Sequence, residues 1–519
     1  MEDVEVMFRG FLMAAAAICI VRLLWISRWP SKNYPPVVPG WPIVGNLLQL
    51  SEKKPHHTFT QWARKYGPIY SIRTGATSLV VLNSTQVAKE AMVTKFSAIS
   101  TRKLPNALRI LTSEKTMVAM SDYGEYHRMV KKLILTNLLG AAAQKQKSIH
   151  SLRESMLQSI MDNIHSQSVS AEGVNLRQIF INELFTFALK AVIGRDIESI
   201  YVEEIGSNLS KWEIYEILVA DPMKGAIEVD WRDFFPYLRW VPYQHVEENM
   251  KRMDRRRNAV LRALIEDQKK LLAFGKEPNC YLDILLKEAP QLTQKQLEMS
   301  IWEPIIEASD TTLITVEWAM FELSKNPHSQ DRLYRELQRV SGDEDVTEDL
   351  LPKLPYLSAV FQETLRKHPP VPILPLRYVQ EDVELGGFHV PAGSQIAINI
   401  YGCHNNEKEW ENPEEWKPER FDEELQSGEV LDWKRTMAFG AGKRACAGIV
   451  QATLIACTAI ARFVQRFNWE LAAGEEDSTD TLTLTTHKLH PLKAIVTPRS
   501  VSIPSNISMS NTSIHGNPL

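Results

Sequence analysis

The stretch 438–450, "AFGAGKRACAGIV", constrains this chain more than any other. It sets one cysteine, Cys446, between a glycine-rich loop and a long apolar segment that begins at Ile449. A thiol there sits at the positive end of a helix dipole and beside Arg444, and both favour the thiolate. Its neighbours Ala441, Gly442, Ala445, Ala447 and Gly448 are small enough to let a flat ligand approach the backbone. No histidine or second cysteine is spaced to complete a zinc site. A metal at Cys446 would take most of its ligands from elsewhere, as haem iron takes four from its porphyrin. Two other readings stand beside this one. A lone cysteine can be an inert buried thiol. The run Gly440 to Ala445 also fits the loose G-x-G-x-x-G/A dinucleotide fingerprint, which needs a strand before the first glycine. "DWKRTMAF" offers only a short apolar end behind a charged run.

The rest of the chain favours a helical frame. Helical periodicity runs through 251–272, 296–325, 328–340, 357–367 and 449–467, while strand-like pieces are confined to "SLVVLNS" and 383–400. This predicts a mainly α fold with a minor β-sheet rather than alternating βα units. The 519 residues are 24% charged with a net charge of -4, a globular composition with no global basic field for nucleic acid. The 5 cysteines, Cys19, Cys280, Cys403, Cys446 and Cys457, are odd in number and scattered, which suits a reducing compartment. Residues 6–26 are mostly apolar, with Arg9 and Arg22 near the ends, so 1–29 reads as a retained membrane anchor. Arg22, Arg28 and Lys32 follow it and put the body in the cytosol. A proline-rich hinge over 30–46, a catalytic domain over 47–499 and a polar, disordered tail over 500–519 complete the expected organisation.

Four motifs carry a resemblance. Phe439-x-x-Gly442-x-Arg444-x-Cys446-x-Gly448 matches the cysteine-loop signature of the cytochrome P-450 monooxygenases. "FQETLRKHPP" supplies Glu363 and Arg366 for that family's E-x-x-R, and "NPEEWKPERF" supplies Arg420 in the right order before the loop. "IIEASDTTLITVEW" sets Asp310 and Thr311 where the family has its distal acid–alcohol pair. Ala308 stands at the glycine position, and Glu307 departs from the pattern.

The resemblance implies a cytochrome P-450 fold, haem b ligated by Cys446, dioxygen as co-substrate, and electrons from NADPH through NADPH–cytochrome P-450 reductase. It implies that Asp310 and Thr311 carry protons to the site, and that Glu363, Arg366 and Arg420 pin the cysteine loop. It also implies that Arg444, Arg377, His127 and Lys131 meet the haem propionates. Lys131, Lys132, Lys434, Arg435 and Lys443 offer a basic face for the reductase. Trp302, Pro304, Ile305, Ile306, Ala308, Val371 and Leu374 are substrate-pocket candidates.

Stretches such as "KKPHHTF", "GPIYSIRTGA", "AIEVDWRDFFPYLRWVP" and "MAFGAGKRACAG" resemble one branch of the family, the plant ent-kaurene oxidases. That implies a diterpene hydrocarbon taken to its acid by three oxidations of one methyl, in gibberellin biosynthesis, at the endoplasmic reticulum or the plastid envelope. Pro304 stands where the branch usually lacks proline. A bend there, in a helix expected over 296–325, would move the pocket wall. A diverged hydroxylase of another labdane-related diterpene is therefore the second reading. A haem-binding sensor or scaffold without turnover is the third.

Overall fold

The computed structural model describes Met13 and residues 33–50, 54–168, 174–241, 244–275, 277–421, 436–480 and 485–499. The apolar stretch 6–26, Met13 apart, lies outside the described residues, as do Lys434, Arg435 and the tail 500–519. Among the described residues no helix is long and apolar enough to cross a membrane.

The fold is mainly helical. Six helices position the site: α1 (Glu125–Ile134), α2 (Leu176–Ile193), α3 (Gln294–Ala308), α4 (Thr311–Lys325), α5 (Pro355–Lys367) and α6 (Ile449–Arg466). From Thr312 to Ser324 every residue of α4 is buried, so this helix needs packing on all sides. It finds that packing against α2, α5 and α6, where Phe180, Trp318, Phe321, Phe361, Ile455 and Phe463 share one apolar cluster. Full burial of each such side chain is worth about 1.5–3 kcal/mol. The helix expected over 251–272 is longer, Gln244–Ala273, and the one expected over 328–340 spans Pro327–Ser341.

The minor sheet has four strands: β1 (Ile69–Thr74), β2 (Thr77–Leu82), β3 (Arg377–Tyr378) and β4 (Gln395–Ile398), in the order β1-β2-β4-β3. β1 and β2 form a hairpin whose turn holds Gly75 at φ 61°. β2 pairs parallel with β4, Leu79 opposite Gln395, and β4 pairs antiparallel with β3, Ile396 opposite Arg377. This register delivers Arg377 to the edge of the central cavity. Pro36 and Val38 run alongside β1, with the Val38 N–H on the Ser71 carbonyl at 3.0 Å and the Ser71 N–H on the Pro36 carbonyl at 2.8 Å.

The single helix expected over 296–325 is two. α3 runs through Pro304 without ending and stops at Ala308; α4 starts at Thr311. The break falls at Ser309 and Asp310. The Ser309 hydroxyl donates to the Ile305 carbonyl at 2.6 Å, and Asp310 has φ -128° and ψ -54°. A serine that bonds back to the i−4 carbonyl can bend a helix, but Ser300 makes the same bond to Gln296 inside α3 without a break, so the backbone of Asp310 is what marks the turn. The chain therefore turns next to the acid–alcohol pair, not at the proline.

Candidate active site

A cavity of about 340 Å³ lies between α3, the start of α4, the cysteine loop and the end of β3. Most of the expected site residues line it: Trp302, Pro304, Ile306, Ala308, Asp310, Thr311, Val371, Leu374, Arg377, His127, Lys131, Phe439, Arg444, Cys446 and Gly448. Two do not. Ile305 is fully buried in the apolar cluster behind α3, because helical periodicity turns it away from its neighbours Pro304 and Ile306. Gly442 is a backbone requirement instead. Its φ is 68°, and a Cβ there would lie 2.7 Å from the Met92 carbonyl oxygen.

Cys446 sits in an irregular loop, three residues before α6, and the described residues 436–439 just ahead of Gly440 form no strand. That removes the dinucleotide reading. The Cys446 N–H donates to the Phe439 carbonyl at 2.9 Å and closes the loop on itself. The thiol is exposed and lines the cavity. Burial first, then Glu307, pushes it up to about 11, while the Gly448 N–H and Lys131 pull the other way. The helix end and nearby cations therefore do not hold a thiolate by themselves. A metal cation at the thiol would.

Basic groups gather on one side of the cavity. Buried Arg377 leaves Nε and Nη1 without a hydrogen-bond partner among the described residues, Arg444 leaves Nε and Nη1, and Arg102 leaves Nε. Burial lowers all three guanidiniums, and Arg102 and Arg377 also feel Arg444 as a like charge. Unpaired buried N–H groups of this kind call for an anion. The two propionate carboxylates of haem supply that charge, so the donor set fits the group. Arg102 was not among the expected partners. It lies in "STRKLPN", with no spacing that marks it.

The histidine and lysine of α1 also have partners within the chain. His127 Nδ1 lies 3.1 Å from Ser121 Oγ and 3.2 Å from the Val118 carbonyl, and its buried Nε2 is unpartnered among the described residues. Burial first, then Arg444 and Lys131, lowers it to about 4, so it is neutral at pH 7. Lys131 Nζ donates to the carbonyls of Lys443 and Ala445, both at 2.9 Å. It braces the cysteine loop. Lys443 Nζ lies over the rings of Phe96 and Tyr123, at 5.5 and 5.4 Å from their centroids.

The charged cluster forms as expected but reaches the loop by an indirect route. Glu363 accepts from Arg366 Nε at 2.7 Å, Arg366 Nη2 at 2.8 Å, Arg420 Nε at 3.1 Å and the Lys417 N–H at 2.8 Å. Arg366 also donates to the carbonyls of His404 at 3.0 Å and Glu415 at 2.9 Å. Every charge is paired, which a buried cluster requires. The link onward is His404. Its Nδ1 meets the Arg366 carbonyl at 2.8 Å and its Nε2 meets the Thr436 carbonyl, which enters the cysteine loop. Sequence reasoning missed His404, since "YGCHNNEK" carries no motif.

On the other wall, α3 sets two carboxyl groups one turn apart. Glu303 accepts from the N–H groups of Val118 at 2.8 Å and Ala119 at 2.7 Å, and so ties the 118–119 segment over the cavity. Burial raises it to about 7 against those bonds. Glu307 lines the cavity, and burial with Glu303 as a like charge raises it well above the usual carboxylate range. Both Glu303 oxygens are already bonded to backbone N–H groups. Asp310 does not meet Thr311. Its carboxylate is taken by Thr485 Oγ1 and His487 Nε2 from the C-terminal region. The Thr311 hydroxyl has no partner among the described residues, at the first turn of α4 on the cavity.

A cavity-facing cysteine, a set of unpaired guanidiniums for two carboxylates, and a helix broken opposite the thiol define a haem-thiolate oxidoreductase. The chain belongs to the cytochrome P-450 family, whose description, Cytochrome P-450, matches residues 35–496. It is 56% identical over 478 residues to an ent-kaurene oxidase of Salvia miltiorrhiza, covering 91% of each chain. It is 50% identical over 473 residues to an ent-sandaracopimaradiene 3-hydroxylase of Oryza sativa subsp. japonica, covering 90% of this chain and 91% of that one. A solved zebra fish cytochrome P-450 shares the fold, with a TM-score of 0.70 at 21% identity over 86% of this chain and 99% of that one.

Proposed function

We propose that this monooxygenase oxidises a diterpene hydrocarbon, ent-kaurene, to ent-kaurenoic acid by three successive oxidations of one methyl group. The identity with an ent-kaurene oxidase over nine-tenths of both chains carries this reading. The cavity agrees with it. Leu108, Leu111, Met117, Met120 and Ile134 add an apolar wall to Trp302 and Ile306, suited to a rigid hydrocarbon without polar handles.

Haem held by Cys446 supplies oxygen activation and electron uptake. Arg102, Arg377, Arg444 and His127 hold its carboxylates. Asp310 and Thr311 move protons to the distal side, and apolar residues orient the substrate and exclude water. Electrons come from NADPH through NADPH–cytochrome P-450 reductase. The apolar stretch 6–26 anchors the chain to the endoplasmic reticulum membrane.

Pro304 favours a second reading. It lines the cavity within α3, one turn before Ala308. A shift on the order of 1 Å at such a wall can change rate about a hundredfold. This chain would then hydroxylate another labdane-related diterpene and stop at the alcohol, a reaction like that named for the 50% identical rice relative.

Turnover with reductase and NADPH on ent-kaurene and on ent-sandaracopimaradiene, at equal haem concentration, separates the two. Acid from ent-kaurene supports the first. A single alcohol from the tricyclic olefin, with no acid from ent-kaurene, supports the second. No oxidation of any diterpene contradicts both.

A further inference from the structure

The Asp310 carboxylate is held from behind. His487 Nε2 lies 2.9 Å from Asp310 Oδ1 and 3.1 Å from Oδ2. Thr485 Oγ1 donates to Oδ2 and lies 3.4 Å from His487 Nε2, so the three side chains form a closed triangle. Asp310 and Thr485 line the cavity; His487 does not. His487 belongs to the short strand His487–Lys488, which packs against α4. Lys488 beside it turns away to Glu475 at 2.7 Å, and Arg177 nearby is taken by Glu317 at 2.7 Å. Tyr215 also senses Asp310: burial first, then that carboxylate, raises its phenol to about 12.

The helix break explains why the acid needs this support. Asp310 is the residue before α4, yet its side chain caps no N–H of that helix. Left alone, such a carboxylate would turn back to the free N–H groups of the first turn. In that position it would block Thr311 and leave the cavity.

We propose that His487 is a positioning residue for the distal acid: its Nε2–H draws the Asp310 carboxylate off the end of α4 and fixes it between cavity and surface. This rests on the reading of Asp310 as part of the proton route. Three variants test it in the full-length, haem-loaded protein with reductase: His487→Leu, His487→Gln and Asp310→Asn. Two readouts are taken: product against peroxide per NADPH, and the infrared stretching band of carbon monoxide bound to the reduced haem, which senses distal polarity without turnover. Haem content at the parent level shows that each variant folds.

His487→Leu is expected to lower product per NADPH about tenfold and raise peroxide, as loss of a positioned proton donor does. Its carbon monoxide band should shift as that of Asp310→Asn does. His487→Gln, whose amide still donates at that distance, is expected to restore both. Parent-like coupling and an unshifted band in His487→Leu, beside an uncoupled Asp310→Asn, would overturn this inference alone. Failure of His487→Gln as complete as that of His487→Leu would also overturn it, because the imidazole would then act other than by holding the carboxylate. Unchanged coupling in Asp310→Asn would overturn the proton-route reading and this inference with it.

Discussion

Lys131 Nζ donates to the carbonyl oxygen of Ala445 at 2.9 Å, one residue before the cysteine. The same ammonium bonds the Lys443 carbonyl, so a single side chain of α1 clamps both ends of the tight turn that presents Cys446. Burial lowers this lysine, and Cys446 as an opposite charge pulls it back up. Lys131→Met keeps most of the stem and removes both bonds. It should cost about 1–3 kcal/mol at the loop. The expected result is a smaller share of the red-shifted thiolate–carbon monoxide band after mild heating, with total haem little changed. An unaltered band after the same treatment would show that the loop holds its shape without the clamp.

Glu363 accepts four hydrogen bonds in a site with no exposure. Removing its charge strands Arg366 and Arg420, and breaking a buried pair from one side costs about 3–5 kcal/mol. Glu363→Ala should lower the denaturation midpoint sharply and release haem. Replacing His404, which passes the cluster's position on to Thr436, should release haem with a smaller loss of midpoint. Equal losses in both would mean that His404 is part of the cluster's own stability.

How much of this was legible in the sequence depends on the range of the interaction. The cysteine loop and the Glu363–Arg366 pair are local, so fixed spacing displays them. The mainly helical fold follows from periodicity within single segments. Arg102, His404 and His487 act across 273, 32 and 177 residues of chain, on Pro375, Thr436 and Asp310. No period or spacing records such a partner. The break at Ser309 was hidden for another reason. Apolar periodicity continues through it, and the break shows only in the backbone of Asp310, φ -128° and ψ -54°, which no sequence pattern records. Pro304 offered a stronger local signal, yet α3 runs through it because it lies well inside a helix buried on nearly all sides.

Glu303 gives a pH dependence. Its folded value, about 7, stands above the ordinary carboxylate value near 4.5. A raised value means that the native state binds the proton more tightly than the unfolded chain. The stability from this group is complete below about 4.5 and is lost as pH rises through about 7, a change on the order of 3 kcal/mol. Glu303→Gln cannot titrate, so the fall in melting temperature between those pH values should be shallower in the variant. Parallel pH curves for the two proteins would show that Glu303 titrates alike in the folded and unfolded chain.

Thr311 begins α4 on the cavity wall with an unbonded hydroxyl. Thr311→Ala should still consume NADPH, with product per NADPH down by at least about tenfold and the balance released as peroxide. The fold should be untouched, because the hydroxyl bonds nothing among the described residues. Product per NADPH equal to that of the parent would remove Thr311 from the proton route.

The assignment of Cys446 as the iron ligand underlies every other step, and one spectrum tests it. The full-length protein and Cys446→His are each reduced with dithionite, exposed to carbon monoxide and scanned through the Soret region. The parent should show the red-shifted band of a thiolate–carbon monoxide haem, and Cys446→His should bind haem yet lack that band. A red-shifted band that survives in Cys446→His would contradict the assignment and move the ligand to another residue.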